Sequence, residues 1–322
     1  GHTMLEELDD ANMFMVPLDN DRHWYRYHHL FADLLQQRLQ RTRPGEVAEL
    51  HRRASQWYEE NNFVTEALDH AIAAADIDRA ARLVAENAQT MFGRGEVTTV
   101  RDWFDALPLE TVQNHPRLCI DQAWIHYFTH RPNAIKPLLC KAERCLDLDE
   151  TTPAETISKW MGEVIALRAW VERCNGNLEE SIELSRQALE LLTEEEMFVR
   201  CLNILCMAGA LCSTGESMQA AEALSNCVCS CQEAGSPLGV VAGAFDLAEL
   251  LIRQGRLEQA KTSLQEALQW SKEKNVDQLP ATAPIHIGLG EILREQNQYE
   301  AAEKHLQLGI ELAELGYKTI LG

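Results

Sequence analysis

Between residues 165 and 310, leucine, isoleucine and alanine return every three or four positions, and each run stops at a glycine or an asparagine. That spacing predicts amphipathic helices rather than strands. Four of the stops open with related phrases. Gly176-Asn-Leu-Glu-Glu-Ser-Ile is followed by Gly215-Glu-Ser-Met-Gln-Ala-Ala, Gly255-Arg-Leu-Glu-Gln-Ala-Lys and Asn297-Gln-Tyr-Glu-Ala-Ala-Glu. Starts separated by roughly 40 residues are the signature of stacked helix pairs. Gly or Asn can take the left-handed conformation that ends one helix, and acidic residues in the following first turn suit the dipole of the next. In the first copy Leu178, Ile182, Leu189 and Leu192 form one stripe, and Ile165 to Val171 belongs to the other helix of the pair. A single pair cannot bury its apolar face, whereas a row of them can.

The pattern elsewhere agrees. Val47, Leu50, Ala54 and Trp57-Tyr58 make one stripe, and Phe63, Ala67, Ala71 and Ala74 another. Pro108, Pro116, Pro132, Pro153, Pro237 and Pro280 mark helix boundaries, with loops at Glu150–Pro153 and Glu233–Pro237. Near the start, Leu5 to Asn12 reads as a helix end. Met13 to Leu18 and Trp24 to Tyr27 read as two strands joined by the turn-forming run Asp19 to Arg22. A helix over His29–Leu39 and a breaker at Arg41–Gly45 follow. The expected fold class is all-α, a superhelical array of tetratricopeptide-like helix pairs, preceded by a short β-hairpin.

Composition sharpens this. Leu, Ala, Glu and Gln abound while runs of Val, Ile and Thr are scarce, as an all-helical chain requires. Fifty Asp and Glu against 29 Lys and Arg give a net charge of −21, so direct nucleic acid contact through a broad basic face is not expected. All ten cysteines lie between Cys119 and Cys231. With no signal-peptide pattern before them and no apolar run judged long enough for a bilayer, the expectation is a reduced, cytoplasmic chain that does not enter a membrane. Gly1-His2-Thr3 has the character of a cloning remnant.

The segment Phe14-Met-Val-Pro-Leu-Asp-Asn-Asp-Arg-His-Trp-Tyr-Arg-Tyr-His-His-Leu-Phe-Ala-Asp-Leu-Leu resembles the end of the winged-helix module of MalT-like regulators, large ATP-dependent transcription activators of the LuxR class. Leu50-His-Arg-Arg-Ala-Ser-Gln-Trp-Tyr, Asp76-Ile-Asp-Arg-Ala-Ala-Arg-Leu-Val, Thr98-Thr-Val-Arg-Asp-Trp-Phe and Pro116-Arg-Leu-Cys-Ile-Asp-Gln-Ala-Trp continue the resemblance. It implies two parts, a winged-helix remnant over 1–43 and a tetratricopeptide-like sensor over 44–322. It also implies a small-molecule inducer that controls ATP-dependent self-association and transcription. ATP would belong to a module absent here, since no G-x-x-x-x-G-K-[ST] occurs. The family's C-terminal DNA-binding domain is also absent, and no cofactor is expected in this chain.

Few residues suggest chemistry of their own. His126 and His130 have the spacing of metal ligands on one helix face, although Arg131-Pro132 follows at once. Cys227, Cys229 and Cys231 form C-x-C-x-C. Residues two apart on a helix are rotated by roughly 200°, so Cys227 and Cys231 share a face and Cys229 does not. His28-His29 has no partner that spacing can name. The chain is not expected to be an enzyme, and a hydrolase would need a convergent triad that spacing does not show.

The remaining candidate is the inner face of the array. Positions counted back from the four turns bring up Trp170, Glu249 and Glu291, then Phe245, then Arg173 and Arg294. Trp170, Arg173, Phe245, Glu249, Glu291 and Arg294 form the candidate ligand site, an aromatic and charged surface for an amphiphilic ligand, although Trp170 and Phe245 suit a core equally well. A protein-interaction scaffold, holding a regulatory partner or a basic peptide in an open groove, is the alternative.

Overall fold

In a computed structural model of the chain, the described residues are 15–17, 25–148 and 152–321. The reading of Leu5–Asn12, the Asp19–Arg22 turn and the first half of the Glu150–Pro153 loop lie outside them. The chain forms two compact units, residues 1–80 and 81–322.

The first unit carries the expected hairpin. Strands β1 (Met15–Pro17) and β2 (Tyr25–Tyr27) pair antiparallel, with Val16 opposite Arg26. Helices α1 (His29–Thr42), α2 (Pro44–Glu60) and α3 (Val64–Ala73) follow, and α4 (Ile77–Gly93) begins. The breaker is shorter than Arg41–Gly45. Only Arg43 lies outside the helices, because Pro44 serves as a first-turn residue of α2, where its missing N–H costs nothing. Ala67, Ala71 and Ala74 are buried as their spacing suggests, but Leu50 and Trp57 on α2 stay exposed.

The second unit continues with α5 (Val97–Asp105), α6 (Leu109–Gln113), α7 (Pro116–Phe128), α8 (Pro132–Asp147), α9 (Ala154–Asn175) and α10 (Leu178–Leu191). Next come α11 (Met197–Thr214), α12 (Ser217–Glu233), α13 (Pro237–Arg253), α14 (Leu257–Glu273), α15 (Ala283–Glu295) and α16 (Tyr299–Leu321). From α7 onward they pack as consecutive pairs. The first helices α7, α9, α11, α13 and α15 also pack on one another, so every pair leans on the next. Ala220, Leu224, Ala244, Leu264, Ile285 and Leu289 belong to one continuous core across the last pairs. The six boundary prolines all sit at helix starts.

The turns explain the repeat. Gly176, Gly215, Gly255 and Asn297 all have left-handed φ, between 61° and 92°. At each one the next residue's N–H reaches back to the same carbonyl of the finished helix: Asn177 to Glu172, Glu216 to Leu211, Arg256 to Leu251 and Gln298 to Leu293, all at 2.8–2.9 Å. This double closure satisfies carbonyls that a helix end otherwise leaves unpaired. The same device recurs at Asn62, Ala75, Gly95, His130, Gly235 and Asn275, most of which the glycine pattern did not reveal. A Cβ on Gly215 would meet nothing within 4 Å. Gly215→Val should therefore cost only the left-handed backbone penalty, about 1–2 kcal/mol, while Gly215→Asn should be nearly neutral. Denaturant unfolding of the two variants checks this.

The expectation that no apolar run could span a bilayer is corrected. Glu194–Thr214 is long and apolar enough by composition alone. It corresponds to α11 with its preceding turn, and α11 packs against α9, α10, α12 and α13, the setting of a core helix.

Candidate functional site

The first helices of successive pairs bring one set of side chains together. Tyr127 ends α7, Trp170 and Arg173 end α9, Cys206 and Gly209 lie on α11, and Asp246 and Glu249 lie on α13. Tyr127 and Trp170 meet with ring centroids 4.8 Å apart, and His130 stands edge-on to Trp170 at 6.1 Å. Trp170 is only 6% exposed. It supports the surface from beneath rather than presenting a face to a ligand.

Arg173 is different. It is exposed, and its guanidinium lies across Gly209, where an added Cβ would fall 2.7 Å from Nη2. Glycine therefore leaves the shelf on which this side chain rests. No carboxylate of the described residues lies within 4.0 Å of it. Its charge nonetheless acts on Tyr127, Cys206 and Asp246. Burial, and then Glu249, push the Asp246 carboxyl up to about 6 against the pull of Arg173. Burial likewise pushes the Tyr127 phenol up. The result is a cation beside a phenol and a half-buried carboxyl that protonates near neutrality.

The other expected residues are more dispersed. Phe245 is half-buried, its ring 3.6 Å from where a Cβ on Gly288 of α15 would sit. Glu249 is exposed and pairs with Arg253 at 3.6 Å. Glu291 is exposed on α15, and Arg294 pairs with its neighbour Glu295 at 3.1 Å. Arg294 also lines an opening of about 560 Å³ with Tyr299, Leu306 and Ile310, which includes none of Trp170, Arg173, Phe245 or Glu249.

Tyr127 and Asp246 went unnoticed in the sequence. His130 is the reason for the first: it is the turn residue of the α7–α8 pair, and Tyr127 stands to it as Arg173 stands to Gly176. This also corrects the His126–His130 pairing. His126 is in α7, but His130 lies past its end with φ 53°, so the two do not share a helix face. Asp246 directly follows Phe245, and a count of neighbouring positions would have found it.

A second polar cluster sits deep in the core. Arg117 binds Asp121 and, at 2.5 Å, Glu163, and the same carboxylate accepts the Trp124 Nε1 hydrogen at 2.9 Å. All four residues are buried. Burial works against the Arg117 charge, yet Asp121 and Glu163 together hold it above its ordinary value. Burial pushes Asp121 up to about 6 despite that guanidinium. Arg117 and Glu163 occupy the same place in consecutive repeats, counted from His130 and Gly176, so the triad joins α7 to α9.

Comparison with known proteins fits this architecture. Residues 162–320 match the family described as MalT-like TPR region, and residues 1–47 match the MalT winged helix domain. The chain is 29% identical over 286 residues to the HTH-type transcriptional regulator MalT of Klebsiella pneumoniae (strain 342), covering 87% of this chain and 30% of that protein. It thus spans about a third of the length of such relatives. Among solved structures, a Signal Transduction ATPase with Numerous Domains protein with a tetratricopeptide repeat sensor from Pyrococcus horikoshii superposes with a TM-score of 0.65 at 15% identity, over 92% of this chain and 44% of that one. A Rap protein complexed with Competence and Sporulation Factor superposes with a TM-score of 0.51 at 13% identity, over 79% and 66% respectively. The two matches lie in the order winged helix then tetratricopeptide region, so over most of its length the chain is similar to these two parts of MalT-like transcriptional regulators.

Proposed function

We propose that this chain senses a small-molecule effector on the surface formed by α7, α9, α11 and α13. The observation that carries the reading is Arg173, an exposed guanidinium resting on Gly209 with no ion-pair partner among the described residues, in a protein whose net charge is −21. What sets this guanidinium apart is its setting: a cation acting on Tyr127 and Asp246 suits a ligand with an anionic or strongly accepting polar group and an apolar body. Phe245 and Glu249 would extend that surface along α13.

Such a ligand bridges successive pairs. It therefore favours one arrangement of neighbouring helices over another, and only that difference in affinity lets it act as a signal. By the family resemblance, the favoured arrangement would permit ATP-dependent self-association of the whole regulator and transcription activation. ATP chemistry would belong to a module outside this chain.

A thermal-shift screen over sugars, fatty acids and aromatic metabolites tests the reading, because a ligand that binds only the folded state raises the melting temperature by mass action. The expected result is a compound whose shift is lost in Arg173→Met and reduced in Phe245→Ala and Glu249→Ala, with the unliganded variants melting close to wild type. An equal shift in all three variants would remove this surface from the site.

The exposed carboxylates Glu249 and Glu291 favour a second reading, a scaffold for a basic peptide. A shift produced by a lysine-rich peptide and by none of the small molecules would support it instead.

A further inference from the structure

The sequence placed Cys227 and Cys231 on one face of a helix and left them without a third partner. The third partner comes from the preceding helix. Cys201 of α11 faces the two cysteines of α12, all three are buried, and their sulfurs lie within 4.8 Å of one another. Cys227 Sγ and Cys231 Sγ are 4.0 Å apart. Cys229 is exposed and turned away, as its helical position requires. Among the described residues this is the one group of three side chains arranged to converge on a metal ion.

The dimensions are informative. Zinc-to-thiolate bonds are about 2.3 Å, so three sulfurs in a plane around one ion stand about 4.0 Å apart. The Cys227–Cys231 separation already has that value, and rotamer adjustments of under about 1 Å bring in Cys201. The neighbouring helix also leaves room. Gly239 of α13 lies directly over the sulfurs: an added Cβ would fall 2.4 Å from Cys231 Sγ and 3.3 Å from Cys201 Sγ. Any other residue there would press on the sulfurs. Arg200 supplies a positive charge that acts on Cys227. Three thiolates and a divalent ion leave one negative charge, which that guanidinium offsets.

We propose that Cys201, Cys227 and Cys231 form a buried three-sulfur site for one soft divalent ion of the zinc group. Thiolate ligands select such ions over the hard cations that prefer oxygen. On binding, the three thiol protons leave to solvent and no electron moves. The ion ties α11 to α12 within one repeat, against the first turn of α13, and so stiffens one joint of the array.

Cadmium(II) is the probe, since its thiolate complexes absorb in the near ultraviolet. The chain is used with Cys140, Cys174 and Cys229 changed to serine, which removes the exposed thiols. The expected result is saturable binding of one cadmium per chain with thiolate-to-metal absorption and a raised melting temperature. Cys231→Ser should weaken binding more than about 100-fold, since even outer-shell changes cost about 10–100-fold. Gly239→Ala, which leaves every ligand in place, should weaken it as well. Melting of the metal-free variants shows that they fold. Lack of saturation at one equivalent, or unchanged affinity in Cys231→Ser, overturns the proposal. So does air oxidation that joins two of the three cysteines while the reduced protein takes up no ion, because the cluster is then a redox pair.

Discussion

Changing Arg117 to methionine is expected to lower the stability of the second unit by about 3–5 kcal/mol, the cost of leaving a buried charge pair without one partner. Methionine keeps most of the volume, so packing accounts for little of the loss. What remains is Asp121 and Glu163 in an interior that no longer holds a cation, with Trp124 still donating to Glu163. Two features separate this from an ordinary core defect. Replacing Arg117, Asp121 and Glu163 together with apolar residues of similar size should recover much of the stability, because the desolvation cost disappears with the charges.

The deficit should also depend on pH. Asp121 titrates near 6 in the folded chain against 3.8 unperturbed, so the folded state holds an extra proton between those values. Its contribution is fullest below 3.8 and is lost as pH rises through 6. Without the guanidinium the Asp121 carboxyl rises further, so the part of the deficit due to Asp121 should be largest above pH 6 and shrink below it, while the loss of the Glu163 partner remains. Urea unfolding at pH 5 and pH 7.5 reads both effects. A deficit that does not change with pH would mean that the triad is not ionised as described.

Leu264→Ala is the second large effect. Leu264 is fully buried in α14 and reaches α15, where a Cβ on Gly288 would fall 2.8 Å from its Cδ1. Loss of a buried leucine costs about 2–5 kcal/mol, depending on how far the site collapses. In an array where each pair touches only its neighbours, the loss should stay local. Amide exchange should accelerate in α13 to α16 and remain unchanged in α7 and α8. Uniform acceleration across the second unit would mean that it unfolds as one block.

The parts of this protein that were legible in its sequence are those set by local rules. The turns at Gly176, Gly215, Gly255 and Asn297 could be read because a left-handed residue at a helix end strongly favours glycine or asparagine. The hairpin could be read from β-forming residues around turn chemistry, and the winged-helix remnant from a long family-specific phrase. Turns that use Ala75 or His130 were hidden, because those residues carry no such signal, and Tyr127 was hidden with the second. The triad of Arg117, Asp121 and Glu163 and the meeting of Cys201 with Cys227 and Cys231 depend on contact between helices. Spacing along one helix cannot show that contact. Arg173 was found by counting, but its distinguishing feature, the glycine shelf beneath it, is visible only in three dimensions.

The central claim is that Arg173 and its neighbours on successive first helices receive an effector. Amide exchange of the chain, with and without a compound found by the thermal-shift screen, tests it most directly. The account predicts slowed exchange confined to the C-terminal turns of α7 and α9 and the facing turns of α11 and α13, and its loss in Arg173→Met. Protection centred on α16, or on the outward faces of α12 and α14, would contradict it.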